Sequence, residues 1–311
     1  MTESNNMRVS GFDLPTLAAD NKLNRILTST LRERSIKDLS TLSNRPNYWQ
    51  AEYFDLDRVS IFQDATIREQ QQILQQLNQS LLQESLYIEQ AGVGYMAKMV
   101  LMAESTEERM LYSLFAADET THLAQLQPYV SSSHISSDIV SSKLDDPFLQ
   151  LLSEIVESSD KNALLFVLQV VLEGWGLTHY RSLAKNCIHR PLRDLFQSFL
   201  QAESRHHGAG VILFNQANVS PDSQNAIVEC LAMFLQMVRV GPQRVVGAIA
   251  TAKGHLSRSQ RIQILQQLDT AAHSHGRLGL LRSLMASTSH QIVSQLEEKG
   301  LFTPLRAEEA A

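Results

Sequence analysis

Two short motifs in the sequence combine a carboxylate with an imidazole at the same spacing. Glu119 is followed three positions later by His122, and Glu203 is followed three positions later by His206. Residues three apart share one face of a helix, so each pair can present an oxygen and a nitrogen ligand to one point. Such pairs are often only solvated side chains, or a core histidine with a hydrogen-bonding partner, and a short motif alone does not separate these alternatives.

An internal repeat favours the metal-binding interpretation. A glutamate stands thirty positions before each motif, Glu89 before the first and Glu173 before the second, and the two halves are offset by 84 positions. Each half therefore predicts an antiparallel helix pair that presents two carboxylates and one imidazole at one level. Glu84 competes with Glu89, but it lies on a different helix face and has no counterpart in the second half. Further identities share the offset: Gly92 with Gly176, Arg109 with Arg193, Leu111 with Leu195, and Phe115 with Phe199.

The electrostatics of this arrangement indicate metal ions. Burying four carboxylates without compensating positive charge is strongly unfavourable. Two divalent or trivalent cations would neutralise them, and carboxylate oxygens with one histidine per ion suit iron or manganese. The sequence therefore predicts two iron ions, with manganese as an open alternative in one or both positions. The predicted ligands are Glu89, Glu119, His122, Glu173, Glu203 and His206.

The six-residue pattern, over roughly residues 84–215, resembles the ferritin-like di-iron carboxylate superfamily. The resemblance implies a four-helix bundle that holds two ions at its centre, and it is nearer to the oxidase and oxygenase members than to true ferritins. It also implies dioxygen and a small organic molecule as reactants, and an external electron donor; the apolar character of that molecule is predicted from the residues beside the ligands. Two alternatives stay open: an iron-handling protein with ferroxidase or peroxide-removing activity, and a metal-free helical interaction protein.

Residues beside the predicted ligands suggest a substrate cavity. Gly92 and Gly176 each follow the first-helix glutamate by three positions, where glycine costs a helix about 1 kcal/mol relative to alanine. Both a cavity and close helix packing are compatible with this pair. The predicted lining also includes Val93, Met96 and Leu177. Tyr180 lies seven positions after Glu173 and could donate a hydrogen bond to a ligand or relay an electron, with an ordinary core tyrosine as the alternative.

The remaining sequence predicts an all-α fold. Its 13 glycines and 8 prolines fall mostly between long periodic segments, and alternating strand-like runs are nearly absent. We predict a leader with short helices over residues 1–60, a ferritin-like four-helix bundle over 61–218, and further helices that pack on it over 219–311. These three parts are expected to form one structural domain.

Several local signals predict where helices begin and which residues face inward. Asp64 is predicted to open a long helix, and Ser105 with Glu108 matches a capping box that opens the next one. Leu111 is predicted to lie on the inner face of that second helix. A Ser-rich connector is predicted over residues 131–142.

The composition argues against several classes of partner. The net charge of −6 and a pI near 5.9 offer no basic surface for nucleic acid. Two cysteines do not make a disulfide framework, and the first residues lack the basic and apolar regions of a signal peptide. Charged residues, glycine and proline interrupt the apolar stretch at 232–250, so no membrane span is expected. We expect a soluble cytoplasmic protein, with a homodimer left open.

Overall fold

The computed structural model describes residues 9–12, 14, 17–18, 20–33, 47–130 and 146–311. These residues form helices, turns and irregular segments, and no strand occurs within those ranges. The predicted all-α class is therefore confirmed. The predicted connector at 131–142 and parts of the predicted leader lie outside the described residues.

Thirteen helices follow one another through the described residues. The first five are α1 Lys22–Glu33, α2 Ser60–Gln63, α3 Ile67–Met102, α4 Thr106–Leu126 and α5 Pro147–Glu157. The others are α6 Lys161–Asn186, α7 Arg190–Gln216, α8 Pro221–Arg239, α9 Gln243–Lys253, α10 Arg258–Gln267, α11 Thr270–Ala286, α12 His290–Glu298 and α13 Ala307–Ala310.

The helices divide into two compact units. The first unit contains the described residues of 1–45 and 81–159, and the second contains those of 46–80 and 160–311. The first half of the sequence repeat therefore falls in the first unit and the second half in the second unit. The domain boundaries expected near residues 60 and 218 stay a prediction.

In the first unit, the N-terminal segment of the chain crosses α3 at a glycine. A side chain on Gly94 would overlap the carbonyl group of Val9. The segment is held by the Gln90 side-chain amide, which donates to the Gly11 carbonyl at 2.6 Å, and by the Val9 N–H, which donates to the Glu157 carboxylate at 2.5 Å. The absence of a side chain at Gly94 therefore allows the backbone of the N-terminal segment to lie close to α3.

Helix α3 begins later than Asp64, the predicted start. Thr66 precedes the first helical residue, and its N–H and hydroxyl donate to the Glu69 carboxylate at 2.7 and 2.8 Å. The Glu69 N–H donates back to the Thr66 hydroxyl at 3.3 Å, which completes a capping box. These hydrogen bonds, together with the Lys253 ion pair, lower the pKa of Glu69 to about 2.

Helix α4 begins at the predicted N-cap. The Ser105 hydroxyl accepts a hydrogen bond from the Glu108 N–H at 3.0 Å. The reciprocal bond of the predicted capping box is replaced, because the Glu108 carboxylate accepts from the Glu104 N–H at 2.8 Å. The prediction for Leu111 was wrong, since this side chain is 36% exposed. The residues of α4 that are buried are Glu108, Tyr112, Phe115, Glu119, His122 and Leu126.

In the second unit, α6 packs along α7 and also contacts α8. The Phe166 ring on α6 lies 4.6 Å from the Phe214 ring on α7, and the Trp175 ring lies 4.8 Å from the Phe234 ring on α8. Trp49 closes one end of this core, because its indole N–H donates to the Leu183 carbonyl at 3.0 Å.

Helix α6 differs from the others in its backbone and its apolarity. Its stretch Leu164–Glu173 is π-helical, a widened form that often occurs at functional sites. Among the described residues, α6 is the one helix with the length and hydropathy of a membrane span, and 61% of its most apolar window is buried. The buried core helix of a water-soluble protein has the same composition.

Replacing the N-cap of α4 should measure its contribution to stability. We expect Ser105→Ala to lower the free energy of unfolding by about 1 kcal/mol, because the Glu108 N–H loses its acceptor. Ser113→Ala is the matched control, since the exposed Ser113 hydroxyl bonds only one turn back, to the Arg109 carbonyl. Urea unfolding of both variants should show a loss for the first alone, and equal midpoints would contradict the assignment of the cap.

Acid sensitivity should arise partly from α11. Burial, together with the nearby Arg277, lowers the pKa of His273 from 6.5 to about 4. Between these values the unfolded chain binds the proton more readily, so the folded state loses stability as pH falls from about 6.5 to about 4. We expect His273→Asn to lose less stability than the parent over this range, in urea unfolding with a metal chelator present. The exposed His275, replaced by Asn, should leave the parent profile unchanged.

Candidate metal centre

The first triad, Glu89, Glu119 and His122, is assembled by α3 and α4 in the first unit. Glu89 Oε2 lies 3.1 Å from His122 Nδ1. Each residue offers one ligand atom, and these three atoms lie within 4.8 Å of one another. All three side chains are buried. The two helices thus bring both carboxylates and the imidazole of the first repeat half to one level.

A glycine makes room for one of these carboxylates. A Cβ atom on Gly92 would lie 2.5 Å from Glu119 Oε2 and 2.9 Å from its carboxylate carbon. Helix α4 therefore places the Glu119 carboxylate against the backbone of α3. A predicted ligand occupies the space beside Gly92, and a substrate cavity at this glycine stays a prediction.

The second triad, Glu173, Glu203 and His206, is assembled by α6 and α7 in the second unit. His206 Nδ1 lies 3.7 Å from Glu203 Oε2 and 3.9 Å from Glu173 Oε1. One ligand atom of each residue again lies within 4.8 Å of the others. Glu203 and His206 are buried, whereas the Glu173 side chain is 15% exposed. Glu173 is therefore the most accessible of the six predicted ligands.

The other residues of the predicted cavity differ between the halves. Among the described residues, no atom beyond the backbone of the helix itself lies within 4 Å of where a Cβ would stand on Gly176, so the space beside it is open. Leu177 in the second unit and Val93 in the first are half-buried, and Met96 is buried. Gly176 is itself partly exposed, and its place in a substrate cavity stays a prediction.

Tyr180 lies in an aromatic cluster of the second unit. Its ring is stacked on Phe196 at 5.6 Å and meets Phe199 edge-on at 5.5 Å, and the residue is buried. Both phenylalanines belong to α7, one and two turns before Glu203. These contacts give Tyr180 a packing role, and its role as a hydrogen-bond donor or electron relay stays a prediction.

Two residues that the sequence interpretation did not use tie α6 to α7 at the second triad. The Gln169 side-chain amide donates to the His206 carbonyl at 3.0 Å, and His207 Nδ1 donates to the Gln169 carbonyl at 3.1 Å. The repeat could not reveal them, because Gln169 and His207 correspond to Ser85 and Leu123 in the first half.

The composition of each triad suits a divalent metal ion. Two carboxylates and one neutral imidazole supply hard oxygen donors, one nitrogen donor and two negative charges. Burial raises the free-energy cost of those charges, which a bound cation would lower. Each unit therefore contains a buried Glu/His group at distances compatible with a metal site.

Comparisons with known proteins do not identify the chain. No protein-family model matches it, and neither a curated protein nor a solved structure matches it. The chemistry of the site must therefore follow from its own residues.

The glycine pair offers a matched test of the first triad. Gly92→Ala gains up to about 1 kcal/mol of helix propensity, but its methyl group would displace the Glu119 carboxylate. We expect metal affinity to fall about tenfold, as when the support of a ligand is lost. Gly176→Ala, with open space around it, should keep the parent affinity and melt at a higher temperature. Chelator competition with Mn(II) measures both variants, and equal affinities would contradict the placement of Glu119.

Proposed function

We propose that this chain is a ferritin-like di-iron carboxylate protein that uses dioxygen to oxidise a small, apolar organic molecule. The observation that carries the proposal is the grouping of two carboxylates and one imidazole in each half of a helical chain, with five of these six side chains buried. Isolated Glu-x-x-His pairs have no reason to come with a second glutamate at the same offset, whereas metal ligands do.

The proposal joins the two triads into one dinuclear centre within a four-helix bundle. Its support is the sequence repeat, because α3 with α4 and α6 with α7 are two copies of one ligand-bearing helix pair. One divalent ion per triad matches the two carboxylate charges of that triad. The resemblance of the six-residue pattern to the ferritin-like superfamily implies that the two ions share one centre.

Bound iron would supply Lewis acidity and the redox capacity to react with dioxygen. The chain's own residues have the complementary tasks. Burial of five of the six predicted ligands limits the access of bulk water, and the contact between Glu89 and His122 holds these two side chains together. The Gly92 backbone sets the position of the Glu119 carboxylate.

The surroundings of the ligands favour an apolar substrate. Met96 and Val93 follow Glu89 on α3, Leu177 follows Glu173 on α6, and the space beside Gly176 is open. These three side chains are apolar, which favours an apolar substrate.

Electrons are expected to come from outside the chain. Cys187 and Cys230 are buried, are not joined in a disulfide and do not form a Cys-x-x-Cys motif, so the sequence supplies no thiolate set for an iron–sulfur centre of its own. An external donor in a reducing compartment such as the cytoplasm fits this cysteine usage.

Iron handling is the second candidate, and the exposure of Glu173 favours it. A carboxylate that reaches solvent offers hydrated Fe(II) a first ligand on its way to the triad. The two functions differ in what consumes dioxygen. A ferroxidase consumes it in proportion to added Fe(II), whereas the proposed oxidase requires a reductant and an organic compound and turns over repeatedly. Dioxygen uptake by the iron-loaded protein, with a panel of apolar alcohols, amines and aromatic compounds, separates them.

Metal analysis of ligand variants tests the proposal directly. We expect two ions per parent chain after anaerobic Fe(II) loading, and a higher melting temperature with metal than with chelator. Glu119→Ala and His206→Ala each remove one predicted ligand from a different triad and should sharply lower occupancy. Glu84→Gln is the control, because Glu84 belongs to neither triad. If both ligand variants bind as much iron as the parent, the assignment of the ligands is wrong and a metal-free helical protein becomes the better interpretation.

A further inference from the structure

A reciprocal pair of hydrogen bonds connects α6 and α7 beside the second triad. The side chain of Gln169 bonds the carbonyl of His206, and the carbonyl of Gln169 accepts from the ring of His207. Because a carbonyl only accepts, His207 Nδ1 must carry the hydrogen. Gln169 and His206 are fully buried. One residue of α6 is thus bonded both to a predicted ligand and to the residue after it; we name these two bonds the clasp.

Two glycines allow the clasp to form. A side chain on Gly210 would overlap the Cβ atom of Gln169. A side chain on Gly174 would lie 3.0 Å from the His207 ring, tighter than ordinary van der Waals contact. Each helix therefore has a glycine opposite the clasp residue of the other helix, and the close approach is built from both sides.

The first half of the repeat lacks every part of this arrangement. The four clasp positions correspond to Ser85, Gln90, Leu123 and Leu126. Ser85 is buried, and its hydroxyl bonds the Leu81 carbonyl on its own helix. The two triads thus have the same ligand residues, but among the described residues only the second has hydrogen bonds of this kind between its helices.

The clasp lies where it can set the height of the second-triad ligands. Gln169 precedes Glu173 by about one turn within the π-helical stretch, and His206 is itself a predicted ligand. Fixing Gln169 against the backbone of His206 therefore fixes Glu173 on α6 relative to Glu203 and His206 on α7. Supports of this kind orient ligands and commonly change metal affinity when they are removed.

We propose that Gln169 and His207 are positioning residues that make the two metal positions inequivalent, so that the affinity of the second-triad position alone depends on the clasp. This inference rests on the proposed function. It extends that function in two ways. The two ions bind in separable steps, and the affinity of one step depends on residues that are not ligands.

Anaerobic Co(II) titration followed by optical spectroscopy tests the inference. The metal-free parent should bind two ions in two steps of different affinity. His207→Leu, which installs the residue of the first half, should weaken one step by about 10- to 100-fold and alter its Co(II) spectrum. His207→Asn keeps a donor near the Nδ1 position and should restore both. Ser85→Ala is the control and should leave both steps unchanged.

The outcomes separate this inference from the proposed function. Equal weakening of both steps, or no rescue by His207→Asn, would assign the clasp a general structural role and overturn the inference. A parent that binds two ions in one step with equal affinity would overturn it too, while leaving the proposed function intact. A parent that binds no Co(II) or Fe(II) refutes both. If His207→Leu does not fold, Gln169→Met removes the other bond at similar volume and must weaken the same single step.

Discussion

Removing carboxylates from water is the constraint on which the rest of the structure depends. Five of the six triad side chains are buried, and three of those five are glutamates. A buried carboxylate needs a nearby positive charge or several hydrogen-bond donors, and long helices have few other groups to offer in their interiors. The chain places these glutamates in two groups, each with a histidine. Their positions then decide which turns of α3 and α4, and which turns of α6 and α7, must approach closely.

The two halves bring their ligand-bearing helices together through different local contacts. In the first unit, the absence of a side chain at Gly92 lets the Glu119 carboxylate of α4 lie against the backbone of α3. In the second unit, the equivalent Gly176 has open space beside it, and Gln169 with His207 holds the helices together instead. A duplicated pair of helices has thus kept its charged residues while the packing around them diverged. One half is closed around its ligands, and the other leaves Glu173 partly in contact with solvent.

The sequence allowed the helical class and the members of each triad to be predicted, because both depend on spacing that a helix preserves. The N-cap at Ser105 was predictable for the same reason. Other features depended on information that spacing does not contain. Leu111 and Tyr112 are adjacent, so a small error in helix phase exchanges which of them is buried. The predicted start of α3 at Asp64 was wrong because Asp64 ends α2, and the Thr66–Glu69 capping box opens α3 instead. The clasp was missed because the repeat, which identified the ligands, has no counterpart for it.

The apolarity of α6 has a consequence for handling the protein. Residues 164–171 are all buried, and Gln169 is the one polar side chain among them. In an unfolded or newly made chain this run is exposed, and its length, hydrophobicity and lack of charge are typical of segments that start aggregation. In the folded protein α7, α8 and α11 pack against this run. Substitutions along α6 and α7 therefore change the fraction of chains that folds as well as the stability of the folded state. The soluble yield measures chains lost to aggregation, whereas a melting curve describes only the chains that folded.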